Sequence, residues 1–190
     1  MKRNKVMVLI IVLVTLLTSS CQASRTSRVS QIEIQLVQYS LKKADLPGSG
    51  WSLEGKGWGA DYGGESYGIT YIRDKHVFVN HIVSIHSSVD RAQQAYGEWE
   101  ADTFDITNLQ PEQSYVPLGQ GDDSRFECVQ MDMTDPIVVC FYLQRHNQVI
   151  SFVGINLDYR STSNLTFAEI NDILAILDQR LNEVVINPKP

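Results

Sequence analysis

The sequence is poor in cysteine, with only Cys21, Cys128 and Cys140 among its 190 residues. They form no C-x-x-C pair and match no common zinc-binding spacing, which excludes a thioredoxin-like motif and a cysteine-based metal site. Basic residues are also scarce, with 16 Lys and Arg against 22 Asp and Glu. That balance argues against nucleic-acid binding, which depends on a basic surface.

The chain also lacks an apolar run long enough to span a bilayer, which takes roughly 20 residues. What it has is the amino-terminal stretch MKRNKVMVLIIVLVTLLTSSC. Three cations precede the apolar run Val6–Leu17, and small polar residues follow it. This order is typical of a secretory signal peptide.

The end of that stretch, Leu17-Thr18-Ser19-Ser20-Cys21, resembles the lipobox of bacterial lipoproteins. In that family the cysteine is thioether-linked to diacylglycerol and becomes the first residue of the mature chain. The resemblance implies a signal peptide over residues 1–20 and a lipidated Cys21. It also implies anchoring on the extracytoplasmic side of a cell-envelope membrane, the outer one in a cell with two membranes. An uncleaved anchor or a signal cleaved elsewhere is the alternative.

Removal of the signal peptide would take three cations with it and change the formal net charge from −6 to −9. Such an acidic domain is not expected to adhere broadly to anionic lipids. We therefore expect the lipid anchor to provide the membrane contact. Residues 21–29 predict a lipidated cysteine and a small, polar tether. We expect residues 30–187 to form a single globular α+β domain.

Short β-rich runs separated by turn residues dominate this domain, and two helical stripes interrupt them. The first stripe contains Ala92, Ala95, Tyr96, Trp99 and Thr103, and the second contains Ile170, Ile173, Leu174, Leu177, Leu181 and Val184. Thr166 and Glu169 fit a capping box ahead of the second stripe. The pattern predicts an α+β fold, one mostly antiparallel sheet with helices packed on it, and is compatible with a βββα-βββα order. The predicted strands are one that opens at Trp51, then Ile69–Ile72, Val77–Ser87, Arg125–Met133, Pro136–Arg145 and Gln148–Asp158.

The two remaining cysteines lie on consecutive predicted strands. A turn centred near Thr134 would place Cys128 opposite Cys140, close enough to bond. An even pair in an exported protein predicts a disulfide. Two buried free thiols are the alternative.

The stretch Gly55–Gly68 is rich in glycine and aromatics. Its side chains Trp58, Tyr62 and Tyr67 could stack on a sugar ring or present a partner surface. The alternative is a flexible hairpin or loop whose aromatics fold back on the core. We regard these three residues as the candidate binding residues.

Metal and catalytic sites are not indicated. His76, His81 and His86 share no compact metal-binding spacing on one strand face, and no H-E-x-x-H occurs. Asp122 and Asp123 could bind calcium, but their further oxygen ligands are not evident, which favours a solvated turn. We therefore expect no catalytic residues, no metal and no cofactor.

Two segments carry a second resemblance. Val83-Ser84-Ile85-His86-Ser87-Ser88 before an Ala92-bearing helix, and the stretch from Cys140 through Arg145 and Asn147 to Ile150, resemble steps of the PknH-like extracellular sensor domains. By element order alone the chain is also similar to PsbP-like and Mog1-like α-β-α sandwiches. Either resemblance implies ligand or partner binding without catalysis.

Two functions follow as hypotheses. One is a ligand-binding or sensory lipoprotein domain that recognises a small molecule or envelope component. The other is a structural or assembly lipoprotein that docks another envelope protein. Exposed aromatics in a concave site favour the first, and a flat patch favours the second. The sequence leaves the oligomeric state open.

Overall fold

The structure is a computed structural model of the whole chain, and it describes residues 31–104, 122–131, 137–158 and 165–186. The signal peptide, Cys21 and the tether lie outside the described residues. The chain divides into two units, Met1–Gln35 and Leu36–Pro190. The described residues of the first unit are helical, and the second unit carries the sheet.

Six strands and three helices form the described fold. The helices are α1 (residues 31–39), α2 (Val89–Phe104) and α3 (Phe167–Ile186). The strands are β1 (Trp51–Asp61), β2 (Gly64–Arg73), β3 (Val77–Ile85), β4 (Asp123–Met131), β5 (Ile137–His146) and β6 (Val149–Asp158). This order confirms the predicted α+β class and the βββα-βββα sequence of elements.

One antiparallel sheet contains all six strands, in the order β1-β2-β3-β6-β5-β4. Two three-stranded meanders therefore meet at the central pair β3–β6, where Asn80 lies opposite Gly154. The β1–β2 turn has positive φ at both Tyr62 (47°) and Gly63 (82°). That combination suits a two-residue hairpin turn, because its twist matches that of the strands.

Helix α2 packs on one side of the sheet, which we call the α2 face. Ala92, Ala95, Tyr96 and Trp99 are buried there, as the sequence stripe predicts. The stripe was wrong at its end, since Phe104 is buried and Thr103 is only half-buried. The sheet residues packed against α2 are Ile82, Phe141, Leu143, Ile150 and Phe152.

Helix α3 packs on the opposite side, the α3 face. Thr166 accepts a hydrogen bond from the Glu169 backbone N–H (3.2 Å), and the Glu169 carboxylate accepts one from the Thr166 N–H (2.8 Å). This confirms the capping box, which satisfies two backbone donors at the start of the helix. The predicted stripe is fully buried at Ile170, Ile173, Leu174, Leu177 and Leu181.

The predicted disulfide joins β4, at the edge of the sheet, to β5, the middle strand of the second meander. Cys128 lies directly opposite Cys140, and their sulfur atoms are 2.09 Å apart. Both residues are buried. The prediction of a cross-strand disulfide is confirmed.

The segment that enters the sheet from the amino-terminal side is held by two side chains. The backbone N–H of Leu41 donates to Nδ1 of His81 (2.9 Å). Arg180 of α3 donates to the Ser40 carbonyl (2.7 Å) and to Asp45 (2.8 Å). Among the described helices, none has the length and apolar character needed to cross a bilayer.

Candidate functional site

Strand β1 differs from the rest of the sheet because both of its faces are open. It lies at an edge of the sheet, and its residues from Ser52 to Ala60 are exposed. Only Trp51 at its start is buried, where its indole N–H donates to the Pro47 carbonyl (2.8 Å). The sequence left a flexible hairpin or loop as the alternative for this stretch, and the structure forms a hairpin of two regularly paired strands.

Three glycines of β1 line up on the α2 face. Gly55, Gly57 and Gly59 alternate along the strand, so they point to the same side. Their partners on β2 are Thr70, Gly68 and Ser66. Gly68 in turn lies opposite Ile82 of the α2 face. The result is a strip of sheet with almost no side chains.

This strip forms the floor of a shallow groove of about 360 Å³. The volume falls at the lower end of the range for small-molecule sites. Besides the glycines, Ser66, Thr70 and Ile82 line it, with Asp61 and Lys56 of β1. We call it the glycine groove.

The fold itself does not require two of these glycines. A methyl group at Gly55 or Gly57 would meet no described atom within 4 Å, and neither residue has a positive φ. At Gly59 and Gly68 a methyl group would come within 3.3 Å of the Ser66 hydroxyl and 3.7 Å of Ile82. Glycine in a strand costs about 0.5–1 kcal/mol relative to alanine, and it often marks a close approach by a ligand or another backbone.

The structure does not bring the three candidate aromatics together. Trp58 stacks on Tyr67, with ring centroids 4.6 Å apart, on the α3 face of the sheet. Tyr67 is buried, whereas Trp58 is 52% exposed. Tyr62 packs instead against Trp99 of α2, with centroids 5.1 Å apart. Of the three, only Trp58 borders the glycine groove.

The hairpin end of the groove is acidic. Burial, the hydrogen bond to Asp102 and the charges of Asp102, Asp61 and Glu98 together raise the pKa of Tyr62 to about 12. The phenol therefore stays protonated at neutral pH and donates to Asp102 (2.9 Å). This bond ties the tip of the β1–β2 hairpin to α2.

The buried histidines have structural roles. Because His81 Nδ1 accepts from Leu41, its Nε2–H donates to the Ser151 hydroxyl (2.9 Å), which fixes the neutral tautomer. Burial, together with the smaller effect of the Arg180 charge, lowers the His81 pKa to about 3. His76, in the β2–β3 turn, is exposed.

His86 and His146 are also buried. His86 Nε2 lies 3.1 Å from the Ser84 hydroxyl, and burial and the nearby Arg91 lower its pKa. Its ring lies so close to Gly64 that a methyl group there would be 2.6 Å away. His146 Nε2 lies 3.4 Å from the Asp178 carboxylate; burial lowers the His146 pKa despite that neighbour.

Two short patterns associated with serine hydrolases occur in the chain, and the structure gives neither the required setting. Gly64-Glu65-Ser66-Tyr67-Gly68 has the G-x-S-x-G form, which needs a sharp strand-to-helix turn. Here Ser66 lies within the antiparallel strand β2. Ser40 and Lys43 have S-x-x-K spacing, but the Ser40 hydroxyl donates to the Val37 carbonyl (2.9 Å).

The aspartate pair ahead of β4 does not form a free solvated turn. Asp122 and Asp123 each accept a hydrogen bond from the buried guanidinium of Arg145, at 2.8 Å. Asp122 also accepts from the Asn147 N–H (2.7 Å). Arg145 lies more than twenty residues further along the chain, so the local sequence around the two aspartates does not reveal this pairing. The pair fixes the β5–β6 turn.

These features define the class of the fold: an α+β sandwich with a central antiparallel sheet and helices on both faces. A solved structure of similar fold is the extracellular domain of PknH from Mycobacterium tuberculosis, with a TM-score of 0.55 at 11% sequence identity. The match covers 80% of this chain and 96% of that one. No protein-family model matches the chain, and comparison with curated proteins finds no relative.

Proposed function

We propose that this chain is a lipid-anchored, extracytoplasmic domain that binds a ligand in the glycine groove. The observation that supports the binding role is the pair Gly55 and Gly57, which the described fold does not need as glycines. The lipobox-like Cys21 and the similarity of the fold to an extracellular domain support the location.

The groove suits a ligand with a flat face. Without Cβ atoms at Gly57 and Gly68, a ligand can lie directly on the peptide planes of β1 and β2. Hydroxyl groups at the side of the floor supply hydrogen bonds. The Ser66 hydroxyl borders the groove, and the Thr70 hydroxyl is positioned by its hydrogen bond to Asn80 (3.1 Å).

A thermal-shift screen of the soluble form, residues 22–190, tests the binding role. The panel would contain sugars, peptidoglycan fragments, lipids and metal ions. A ligand at 100 times its Kd adds about 2.7 kcal/mol of stability. For a domain of this size that raises Tm by roughly 5–10 °C.

The variant Gly57→Val distinguishes the groove from other surfaces. Its side chain enters open space and favours a strand, so Tm without ligand should stay the same or rise by roughly 2 °C. The ligand-induced shift should disappear because the side chain fills the floor. Ala60→Val, on the other face of β1, is the matched control and should retain the shift. A full shift in Gly57→Val would rule out the groove as the site.

The anchor is tested in cells with a fatty-acid label on the full chain. We expect labelling of the natural chain and none of Cys21→Ser. Equal labelling of both would contradict lipidation at Cys21, whatever the screen shows.

A second function, docking of another envelope protein, is favoured by one observation. Leu53 and Trp58 of β1 are 49% and 52% exposed. A flat result across the ligand panel, together with crosslinking in intact cells to a single partner through position 58 that Gly57→Val leaves unchanged, would support docking outside the groove instead.

A further inference from the structure

We propose that the ligand of the glycine groove is an extended polypeptide segment of another protein. It would add to the free edge of β1 as a further strand, with large side chains at alternate positions lying over the glycines. The inference rests on the proposed function and specifies the chemical class of the ligand.

The first observation is that β1 lies at the edge of the sheet, where no described strand other than β2 pairs with it. In an antiparallel sheet every second residue of an edge strand points its N–H and C=O groups away from its neighbour. Such an edge is a template for pairing with another chain. A register shift between Leu53 and Gly55 interrupts the ladder, so the regular part of the edge runs from Gly55 to Asp61.

The second observation is the spacing of the glycines. Side chains of an extended polypeptide alternate with a period of two residues, and Gly55, Gly57 and Gly59 have the same period. Residues of an added strand opposite these glycines would point to the α2 face. They would meet no Cβ on β1 and could lean across the floor. Large side chains on a neighbouring strand are known to cover edge glycines in this way.

The third observation concerns the other side of β1. The intervening residues of an added strand would point to the α3 face, beside the exposed ring of Trp58. Apolar contact there would cover the ring on the side that Tyr67 leaves open. The same segment would thus use the glycines on one face and Trp58 on the other.

Charge gives the added segment a direction. At the hairpin end of β1, the carboxylates of Asp61, Glu98 and Asp102 surround Tyr62. The guanidinium of Arg91, which lies beside Gly63, offsets only part of this charge. A lysine or arginine of the partner segment would be favoured at this end.

The experiment uses a defined probe, the acetylated and amidated peptide KTYTYTYT, with the soluble form of the protein. Trp58 fluorescence reports binding, and Trp58→Phe identifies its share of the signal. We expect saturable binding with a Kd below about 1 mM, equivalent to roughly 4 kcal/mol. Gly57→Val should weaken it at least tenfold, which corresponds to about 1.4 kcal/mol. Gly97→Ala, on the exposed side of α2, should bind like the natural chain.

A second peptide, N-methylated at alternate amides, keeps the side chains but cannot complete the ladder. Equal binding of this peptide, or equal binding by Gly57→Val, would overturn strand addition. So would the absence of saturable binding by the natural chain. A dimer of the natural chain in sedimentation that Gly57→Val dissociates would assign the edge to a second copy, and would also overturn it. If the peptide fails but a small molecule gives a shift that Gly57→Val abolishes, strand addition is wrong while the groove remains a ligand site.

Discussion

The two halves of the sheet have the same order of elements and different surroundings. In the second half, β5 and β6 pack against α2 on one face, and His146 of β5 contacts Asp178 of α3 on the other. In the first half, β1 is exposed on both faces. The second half also carries the disulfide and the ion pairs of Arg145.

The comparison shows which half of the sheet is covered by packed side chains and which half is exposed. In the second half, packed side chains and one disulfide hold β4–β6 together, with β4 at the opposite edge of the sheet from β1. In β1, a glycine strip and an open edge take their place, and the strand is held chiefly by its ladder with β2 and by Trp51. We infer that the second half stabilises the fold while the first half presents a surface.

The largest expected effect is on the free energy of unfolding, when a tryptophan is replaced by alanine either in the α2 core or on β1. Trp99→Ala removes a side chain buried against Tyr62 and Phe152, so it should cost about 3–5 kcal/mol of unfolding free energy. Trp58→Ala removes a half-exposed ring and should cost about 1 kcal/mol. Urea denaturation of the two variants measures the difference.

Equal losses in the two variants would break the comparison, since β1 would then be as essential to stability as the α2 core. Trp99→Phe serves as a control. It keeps a ring in the cavity and should lose less than Trp99→Ala.

A smaller change in the free energy of unfolding is expected as the pH is lowered. The His81 pKa is about 3 in the folded chain and about 6.5 when unfolded, so below pH 6.5 the unfolded state takes up the proton first. The contribution of neutral, buried His81 to the stability of the fold is complete above pH 6.5 and is lost as the pH falls toward 3. The slope is about 1.4 kcal/mol per pH unit, or about 3 kcal/mol at pH 4.

The variant His81→Asn isolates this contribution. The lowered pKa values of His86 and His146 affect the stability of both proteins in the same direction, so their effects cancel in the comparison. The asparagine amide oxygen can still accept the Leu41 N–H but does not titrate in this range. Natural chain and variant should therefore converge in stability as the pH falls from 6.5 to 4. Parallel curves would contradict the assignment.

Much of the fold could be predicted because its signals are local. The capping box and apolar stripe of α3 lie within one segment, and the two cysteines lie at equal distances in sequence from Thr134. Each feature needs only nearby residues and one secondary-structure period. The pairing of Asp122 and Asp123 with Arg145 depends on the fold of distant residues and could not be predicted.

The sequence and the structure draw attention to different residues of the same stretch as candidates for binding. The sequence singles out the aromatics, but Trp58 and Tyr67 lie on one face of the sheet, whereas Tyr62, in the hairpin turn, contacts α2. Glycine disfavours strands, so Gly55, Gly57 and Gly59 argued for a loop. Their alternation becomes meaningful only once β2 supplies the ladder that holds β1 extended.

The hydrogen bond between the Leu41 N–H and His81 has a mechanical consequence. A chain tethered at its amino-terminal end passes any pull on the tether first to the segment Ser40–Asp45, which Arg180 and His81 hold. Because β3 is a central strand, part of that load reaches the middle of the sheet directly. The surface proposed to meet a partner would thus carry less of the strain at the anchor.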